Sequence, residues 1–220
     1  MPRRIEVPLK VLARDRERAL RLVRLSQADQ QRLATYQDLL LRWQGVLNLV
    51  SATTLPDMWT RHIADSAQLR DLAPAALRWV DLGSGAGFPG LVLAILFADT
   101  AGARVHLIER DKRKAAFLQT VSRETGAAAT VYPGEIEAVL PTLDAVEIVT
   151  SRGLAPVRQL IDWSAPLLQR GATALFLKGR SVQPELDAVR DDYLDLSTLP
   201  SRTDSSGRIV SVRYKGAAIS

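Results

Sequence analysis

The sequence predicts an α/β protein in which a doubly wound, mostly parallel sheet of seven strands follows an N-terminal helical extension. Two observations support this fold class. Apolar residues recur at helical spacing in the first 75 residues, and short β-rich segments alternate with helical ones from residue 77 onwards. A glycine-rich turn directly after the first predicted strand is a third observation. We therefore divide the chain into a helical extension, residues 1–75, and an α/β domain, residues 76–220.

The extension is predicted to be helical because its apolar residues fall on one helix face. That face consists of residues spaced three and four apart: Leu33, Tyr36, Leu40, Trp43 and Leu47. Ser26 and Asp29, three residues apart, are the N-terminal capping signal of this helix. A short Arg-rich helix is expected before it, over residues 15–25. A further helix is expected from about Thr54 to Leu72, since proline is tolerated in a first turn.

Strands and helices alternate in the second part of the chain. The predicted strands are Leu77–Leu82, Arg104–Glu109, Ala129–Tyr132, Ala145–Thr150, Thr173–Leu177, Tyr193–Leu199 and Arg208–Tyr214. The predicted helices are Pro89–Phe97, Lys112–Thr125, Val157–Leu168 and Gln183–Asp191. The last two strands, joined by a turn at residues 205–207, are expected to form an antiparallel hairpin at one edge of the sheet. A ligand is expected at the carboxyl ends of the parallel strands.

The composition is that of a globular protein and excludes several classes. Of the 220 residues, 47% are hydrophobic and 24% are charged. No run of about 18 apolar residues is present, so no membrane span is predicted. The first ten residues, MPRRIEVPLK, lack the apolar stretch of a signal peptide. The absence of cysteine excludes disulfides and thiolate metal sites, and with only two histidines no protein-bound transition metal is expected. We expect a cytoplasmic protein.

The positive charge is unevenly distributed along the chain. The formal net charge is +5, and residues 1–32 contain nine basic side chains against four acids. Residues 110–123 and 151–180 each contain five basic side chains and one acid, whereas residues 124–150 contain five acids and no basic residue. Basic clusters favour a polyanionic partner such as nucleic acid, because each neutralised phosphate releases a counterion. Surface charge that only maintains solubility is the alternative.

The most informative segment is the glycine-rich turn Asp81-Leu82-Gly83-Ser84-Gly85-Ala86-Gly87-Phe88-Pro89-Gly90. Glycines permit sharp bends and let a ligand approach the backbone closely, and amides at a helix start favour an anionic group. Three of the glycines formally match G-x-G-x-x-G, but a dinucleotide motif counted from Gly83 would need glycine at position 88. The alternative pattern is acidic-x-Gly-x-Gly-x-Gly, with Asp81 facing the ammonium of a ligand. It is typical of class I S-adenosylmethionine (AdoMet) methyltransferases.

A second acid ends the next predicted strand. Glu109 directly follows the apolar run Leu107-Ile108. An acid at this strand end accepts hydrogen bonds from ribose hydroxyls in nucleotide-binding α/β folds. Arg110 beside it would also suit a 2′-phosphate, so an NADP-linked oxidoreductase stays open as an alternative. A non-catalytic RNA-binding protein that uses the basic N-terminal segment is another.

Several segments together resemble one family, the bacterial small-subunit ribosomal RNA guanine-N7 methyltransferases (RsmG, also called GidB). They are, in family order, Leu47–Val50, Arg61-His62-Ile63-x-Asp65-Ser66, Asp81–Gly90, Ile108-Glu109, Lys112-x-Lys114-x-x-Phe117-Leu118, Val149–Arg152 and Leu177–Gly179. Gly153 departs from the alanine that is usual in the family. The resemblance extends over about residues 30–180 and implies a class I AdoMet-dependent methyltransferase fold, a Rossmann-like sheet of seven strands.

The resemblance implies methyl transfer from AdoMet to N7 of one guanine of 16S ribosomal RNA in the small ribosomal subunit, guanine 527 in the usual numbering. The residues predicted to bind the cofactor are Asp81, Gly83, Gly85, Phe88, Glu109, Ile136, Glu137 and Arg152. We interpret Ile136 and Glu137 as the pair that contacts the adenine edge, and Phe88 as the cover of an apolar part of the cofactor. Arg152 and Lys178 are the candidate catalytic residues.

The implied reaction makes modest demands on the protein. Guanine N7 carries an in-plane lone pair and no proton, so transfer needs positioning and electrostatics rather than a general base. Without cysteine, a covalent pyrimidine-C5 mechanism is excluded. Basic residues are expected to hold RNA phosphates rather than to read bases. The predicted RNA-binding residues are Arg61, His62, Lys112, Arg113, Lys178 and Arg180. We expect a monomer with no membrane partner and no bound metal.

Overall fold

The helical extension is present. A computed structural model describes residues 7–189 and 191–215 of the chain. The elements of the extension are helix α1 (Leu9–Leu20), helix α2 (Gln27–Leu47), a 3-10 segment (Ala52–Asp57), a π-helical segment (Trp59–Ala64) and helix α3 (Asp65–Leu72). The capping box predicted for α2 is confirmed: the Ser26 hydroxyl accepts from the Asp29 amide, and the Asp29 carboxylate accepts from the Ser26 amide.

Seven strands form a single sheet, as predicted. Their bounds are β1 (Arg78–Leu82), β2 (Arg104–Glu109), β3 (Ala129–Pro133), β4 (Ile148–Arg152), β5 (Thr173–Lys178), β6 (Leu194–Pro200) and β7 (Arg208–Tyr214). The strand order is β3-β2-β1-β4-β5-β7-β6. Strands β1 to β5 are parallel, and the antiparallel hairpin β6–β7 joins the sheet through the pairing of β7 with β5. The predicted hairpin at one edge is therefore confirmed.

Helices cover both faces of this sheet. Those of the α/β part are α4 (Gly90–Leu96), α5 (Lys112–Thr125), α6 (Ile136–Val139), α7 (Val157–Leu168) and α8 (Gln183–Asp187). Helices α4 and α5 pack on one face together with the extension, whereas α6, α7 and α8 pack on the other. Successive side chains of β1 point to opposite faces of the sheet, so Trp79 belongs to the first core and Val80 to the second.

The extension and the sheet share one hydrophobic core. Tyr36 of α2 is fully buried, and its ring lies 5.3 Å from that of Phe88 and 6.3 Å from that of Phe117. The Tyr36 hydroxyl donates a hydrogen bond to the carbonyl of Ala86 in the glycine-rich turn. The extension therefore supports this turn directly. The predicted boundary between the extension and the α/β domain, after residue 75, stays a prediction.

Two predicted helices of the extension have different bounds in the structure. Helix α1 occupies Leu9–Leu20 rather than residues 15–25, because Pro8 precedes its first turn and the buried Asp15 lies in its interior. The helix expected from Thr54 to Leu72 is divided into 3-10, π and α segments. The Asp15 carboxylate accepts hydrogen bonds from the amides of Trp59 and Thr60 at the junction of the first two. A long-range contact that the sequence did not indicate thus shapes this region.

Two element ends in the α/β part also differ. Strand β4 begins at Ile148 rather than at Ala145, because Ala145 has φ +42°, a conformation in which an extended strand cannot continue. Helix α8 ends at Asp187 and not at Asp191. Within residues 7–189 and 191–215, no helix is long and apolar enough to cross a membrane. Of the basic N-terminal segment, Arg3 and Arg4 lie outside the described residues.

Candidate active site

A cavity of about 640 Å³ opens at the carboxyl ends of β1, β2 and β4. We call it the first cavity. Its position agrees with the edge of the sheet predicted to hold the ligand. Seven of the eight predicted cofactor-binding residues line it: Gly83, Gly85, Phe88, Glu109, Ile136, Glu137 and Arg152. The extension contributes Leu49 and Val50 to the same wall. The sequence motifs are therefore brought together in one place.

The glycine-rich turn is fixed to the end of β2 by one side chain. The Glu109 carboxylate accepts a hydrogen bond of 2.7 Å from the Gly85 amide through Oε2 and one of 2.8 Å from the Asp111 amide through Oε1. Gly85 has φ +57°, a left-handed conformation that residues with a side chain rarely adopt. Glu109 thus holds together two of the segments that form the first cavity.

The residues of the first cavity fit AdoMet, which carries a ribose, an adenine and an amino acid end. A carboxylate has about four acceptor positions, so Glu109 keeps capacity for ribose hydroxyls after accepting the two amides. Ile108 and Ile136 supply apolar surface for a flat ring. A Cβ at Gly85 would have no neighbour nearer than 3.8 Å, because the space beside it is open. The wall is therefore polar where hydroxyls are expected and apolar where the base is expected.

Asp81 is the exception among the predicted cofactor-binding residues. Its side chain is fully buried beneath the turn, not in the cavity wall. The carboxylate accepts hydrogen bonds from the Gly90 amide (3.2 Å) and the Thr150 hydroxyl (3.1 Å). Burial raises the pKa of Asp81 from 3.8 to about 7, although Ser84, Thr150 and Gly90 act in the opposite direction. In this structure Asp81 supports the turn, and direct contact with a cofactor ammonium stays a prediction.

The predicted adenine-contacting pair lies at the start of α6. Ile136 is buried, whereas Glu137 is exposed and accepts a hydrogen bond of 2.6 Å from the indole nitrogen of Trp163 on α7. Trp163 also lines the first cavity. The sequence did not single out this tryptophan, because a polar partner three elements away leaves no local pattern. Contact of the pair with adenine stays a prediction.

Arg152, at the end of β4, lies between the first cavity and a second one. Its guanidinium carbon is 4.9 Å from the centre of the Phe88 ring, and its Nη1 donates to the carbonyl of Arg61 at 3.1 Å. The Asp65 carboxylate lies 4.0 Å away. Burial lowers the pKa of Arg152, which the charge of Asp65 partly counteracts. Arg152 therefore joins β4 to the extension beside the expected cofactor.

The second cavity, of about 320 Å³, lies above the ends of β4, β5 and β7. Arg152 and Gly153 line both cavities, so the two are adjacent. The other residues that line it are Thr54, Arg61, His62, Asp65, Leu177, Lys178, Gly179, Glu185, Ser201, Asp204, Gly207 and Arg208. Sequence reasoning missed the contribution of the β6–β7 loop, because its only signal was a turn-forming composition.

Lys178 is an internal residue of this region rather than a free surface cation. Its ammonium donates to the Ala155 carbonyl (3.0 Å) and forms an ion pair of 2.7 Å with Glu185. Glu185 in turn accepts a hydrogen bond of 2.7 Å from the Val157 amide. Lys178 therefore holds the loop after β4, which forms part of the wall of both cavities. Its predicted catalytic and RNA-binding roles stay predictions.

The predicted RNA-binding residues fall into two groups at this edge of the sheet. Lys112 and Arg113 are exposed at the start of α5, where Arg113 donates to the carbonyl of Val46. Arg61, His62 and Lys178 line the second cavity, and the exposed Arg180 follows β5. The two groups lie on either side of the first cavity. RNA contact by any of them stays a prediction.

His62 is buried and uncharged. Its ring stacks on Phe88 with the ring centres 4.9 Å apart, and its Nε2 lies 2.9 Å from the Thr54 hydroxyl. Burial, together with the charges of Arg152 and Arg61, lowers the pKa of His62 to about 3. Among the described residues, its buried Nδ1 has no hydrogen-bond partner. A neutral imidazole cannot hold a phosphate by charge, so a hydrogen bond is the contact that this geometry permits.

Known structures share this fold. A methyltransferase from Geobacter sulfurreducens superposes with a TM-score of 0.56 at 14% identity, covering 95% of this chain and 98% of the other. A mutant of MtNAS in complex with S-adenosylmethionine gives 0.52 at 18% identity, covering 92% of this chain and 77% of the other. The chain therefore has the fold of the class I AdoMet-dependent methyltransferases.

Sequence comparison identifies the family. The family model described as rRNA small subunit methyltransferase G, GidB, matches residues 29–208. Proteins named ribosomal RNA small subunit methyltransferase G are 49% identical to this chain in Methylobacterium nodulans (91% of this chain and 95% of the relative) and in Bradyrhizobium sp. BTAi1 (94% of each). The chain belongs to the rRNA small subunit methyltransferase G family. The resemblance inferred from the motifs is thereby confirmed.

The first prediction concerns Glu109. Replacing it with alanine removes an acceptor for ribose and releases the Gly85 amide, so we expect AdoMet affinity to fall at least about tenfold, the scale of a lost hydrogen bond to a charged group. Isothermal titration with AdoMet measures this. Glu124→Ala, on the exposed surface of α5, is the matched control and should bind like the unchanged protein. Equal affinity in Glu109→Ala would contradict the assignment.

The second prediction concerns the buried carboxyl of Asp81. In the unfolded chain this group titrates near 3.8, whereas in the native protein its pKa is about 7. Between these values the native protein holds a proton that the unfolded chain has lost, so the stability contributed by the neutral carboxyl falls as pH rises from about 4 to about 7. The side chain of the Asp81→Asn variant can still accept from the Gly90 amide and can donate to the Thr150 hydroxyl. That hydroxyl can in turn donate to the Val80 carbonyl, which lies 3.3 Å away.

Urea denaturation across this pH range tests the prediction. The free energy of unfolding of the unchanged protein should fall relative to that of Asp81→Asn as pH rises from 4 to 7, by about 4 kcal/mol at most. Asp144→Asn, exposed at the opposite end of the sheet, is the control and should follow the unchanged protein at every pH. A difference between the protein and Asp81→Asn that stays constant with pH would show that Asp81 is not protonated in the native state.

Proposed function

We propose that this protein transfers the methyl group of AdoMet to N7 of guanine 527 of 16S ribosomal RNA in the small ribosomal subunit. The observation that carries the proposal is the pair of adjacent cavities that share Arg152 and Gly153. One suits AdoMet, and the other has basic groups on its wall. The membership of the chain in the rRNA small subunit methyltransferase G family supports the choice of substrate.

The reaction requires that two substrates meet in line, and the chain supplies the positions. AdoMet, when bound, supplies an electrophilic methyl group on a sulfonium. The N7 lone pair forms the new C–N bond, the C–S bond breaks with its electron pair remaining on sulfur, and the purine becomes cationic. No proton is removed from N7, so no residue is needed as a base before transfer. Glu109 and the glycine-rich turn hold one partner, and the groups of the second cavity hold the other.

The charges near the two cavities support an RNA substrate. Arg61 and Arg208 line the second cavity, and Lys114 lines the first. Lys112 and Arg113 lie exposed at the start of α5. Basic groups on both sides of the reacting centre would bind the phosphates that flank a base and fix its register. We further propose that the protein acts as a monomer and that it works in the cytoplasm. Its lack of cysteine agrees with a reducing compartment.

The two alternative functions have weaker support. An NADP-linked oxidoreductase would need a hydride-transfer site, whereas the described residues of the first cavity match the motifs of a methyltransferase family. A non-catalytic RNA-binding protein would have no use for a cavity beside the glycine-rich turn. Both alternatives therefore become outcomes of the experiment that follows.

The third prediction tests the function itself. Incubation with AdoMet labelled in its methyl group and small subunits lacking the modification should place label on a single guanine of 16S ribosomal RNA, with N7 found by chemical cleavage at the methylated base. The Glu109→Ala variant should transfer label at a strongly reduced rate. Label found only on protein or on small molecules, or RNA bound without transfer, would contradict the proposal. Tight binding of NADPH with no transfer would favour the oxidoreductase.

The fourth prediction concerns Lys178. Its removal breaks the hydrogen bond to the Ala155 carbonyl in the loop after β4 and the ion pair with Glu185. A misplacement of about 1 Å in a reacting centre can cost about a hundredfold in rate. Lys178→Ala should therefore lower the turnover rate on small subunits at least about tenfold, while its dissociation constant for AdoMet stays within about threefold.

Lys215→Ala is the matched control, since Lys215 is exposed at the opposite end of β7. It should keep the full turnover rate and the full affinity for AdoMet. Full turnover in Lys178→Ala would show that the loop after β4 does not depend on this ammonium. A loss confined to AdoMet affinity would place Lys178 in cofactor binding instead.

A further inference from the structure

The β6–β7 loop, residues 201–207, forms part of the wall of the second cavity. The Asp65 carboxylate accepts hydrogen bonds from the hydroxyls of Ser201 (2.9 Å) and Thr203 (2.7 Å). The Gln68 side-chain carbonyl accepts from the Arg202 amide at 2.9 Å. These contacts join residues more than 130 positions apart in the sequence. The extension therefore fixes the position of this loop near Arg152, which lines both cavities.

Asp204 is presented by this loop. Its Oδ1 accepts both the amide (2.8 Å) and the hydroxyl (2.7 Å) of Ser206, which leaves Oδ2 as an acceptor on a residue that lines the second cavity. The hydrogen bonds from Ser206 lower the pKa of Asp204, so the carboxylate is ionised at neutral pH. A fixed, ionised acceptor in a cavity suits a ligand that carries N–H donors.

The order of the strands shows on which side of the first cavity the second one lies. The first cavity lies above β2, β1 and β4, and the second lies above β4, β5 and β7. Arg152 ends β4 and lines both cavities, whereas Asp204 lies in the loop before β7 and lines only the second. Strands β4 and β7 are two strand spacings apart. Two spacings measure about 10 Å, enough for one purine ring with a hydrogen bond at each end.

From this placement we propose that the second cavity takes the target guanine and that Asp204 is the residue that selects guanine over other bases. This deepens the proposed function and rests on it. The Watson–Crick edge of guanine carries two kinds of donor, N1–H and the 2-amino group, whereas N7 lies on the opposite, major-groove edge. A guanine bound to Asp204 through its donors therefore directs N7 towards Arg152 and the first cavity. Adenine, which has an acceptor at N1, would meet the carboxylate with repulsion.

The other groups of the second cavity agree with a flat base as its occupant. His62, in the wall of the second cavity, stacks on Phe88, in the wall of the first. The unpartnered Nδ1 of His62 is a further buried polar atom in the described part of this wall. Arg61 and Arg208 provide positive charge at the cavity for the phosphates next to the extruded nucleotide. A base taken out of its stack would thus meet ring surface, hydrogen-bonding groups and cations.

The fifth prediction uses an analogue of the substrate. Inosine lacks the 2-amino group of guanosine but keeps N1–H, O6 and N7. Single-turnover methyl transfer is measured with small subunits whose 16S ribosomal RNA carries guanosine or inosine at the methylated position. The unchanged protein should react at least about tenfold more slowly with inosine, the scale of one hydrogen bond to a charged group. An equal rate on both substrates would overturn the proposal without any variant being needed.

Asp204→Asn is the corresponding change in the protein. Asparagine keeps the Oδ1 that Ser206 contacts and replaces the free acceptor with a donor, so the loop should retain its fold. We expect the rate on guanosine to fall at least about tenfold, the ratio between guanosine and inosine to approach one, and AdoMet affinity to be unchanged. Asp144→Asn, exposed at the other end of the sheet, should keep the original rates and ratio.

The outcomes separate this proposal from the function on which it rests. If the unchanged protein transfers no methyl group to RNA, the proposed function fails. If it does so and Asp204→Asn keeps the full ratio between guanosine and inosine, the function stands and the assignment of Asp204 is wrong. A loss of AdoMet affinity in Asp204→Asn would also overturn the assignment, because it would place this residue in cofactor binding.

Discussion

The hydrogen bonds from the Gly85 and Asp111 amides to the Glu109 carboxylate are the interaction on which the rest of the site depends. They join the turn after β1 to the end of β2, and both segments line the first cavity. The buried Asp81 carboxylate supports the same turn from below through Gly90. Gly90 is required there, since a Cβ would lie 2.5 Å from that of Asp81. Two acids at neighbouring strand ends thus have different positions: Glu109 lines the first cavity and Asp81 faces the core.

The helical extension forms part of the wall of both cavities. Tyr36 binds the carbonyl of Ala86, the carbonyl of Arg61 accepts from Arg152, and Asp65 holds the β6–β7 loop. These contacts place both cavities between the extension and the sheet. Side chains of the extension position Arg152 and the β6–β7 loop. A substitution in the first 75 residues can therefore affect methyl transfer without contacting either substrate.

Local patterns predicted the parts of the structure that local physics determines. The sequence was enough to predict the strand ends at Leu82 and Glu109, the capping box at Ser26 and the glycine-rich turn, because each depends on neighbouring residues. The division of residues 54–72 into 3-10, π and α segments could not be predicted, since it involves a contact with Asp15, which is distant in the sequence. The position proposed for Asp204 could not be predicted either, because a serine- and glycine-rich turn indicates a bend and does not show that it contacts helix α3. The burial of Asp81 also needed the fold, because an acid at a strand end can face either way.

The central claim is that AdoMet lies in the first cavity with its ribose at Glu109 and its methyl group towards the second cavity. A crystal structure of the protein with AdoMet bound tests this claim most directly. We expect density between the glycine-rich turn and Ile136, with the ribose hydroxyls within hydrogen-bonding distance of Glu109. The sulfonium should lie beside Arg152 and Gly153, which line both cavities. Density for the molecule at another place, with the first cavity empty, would contradict it.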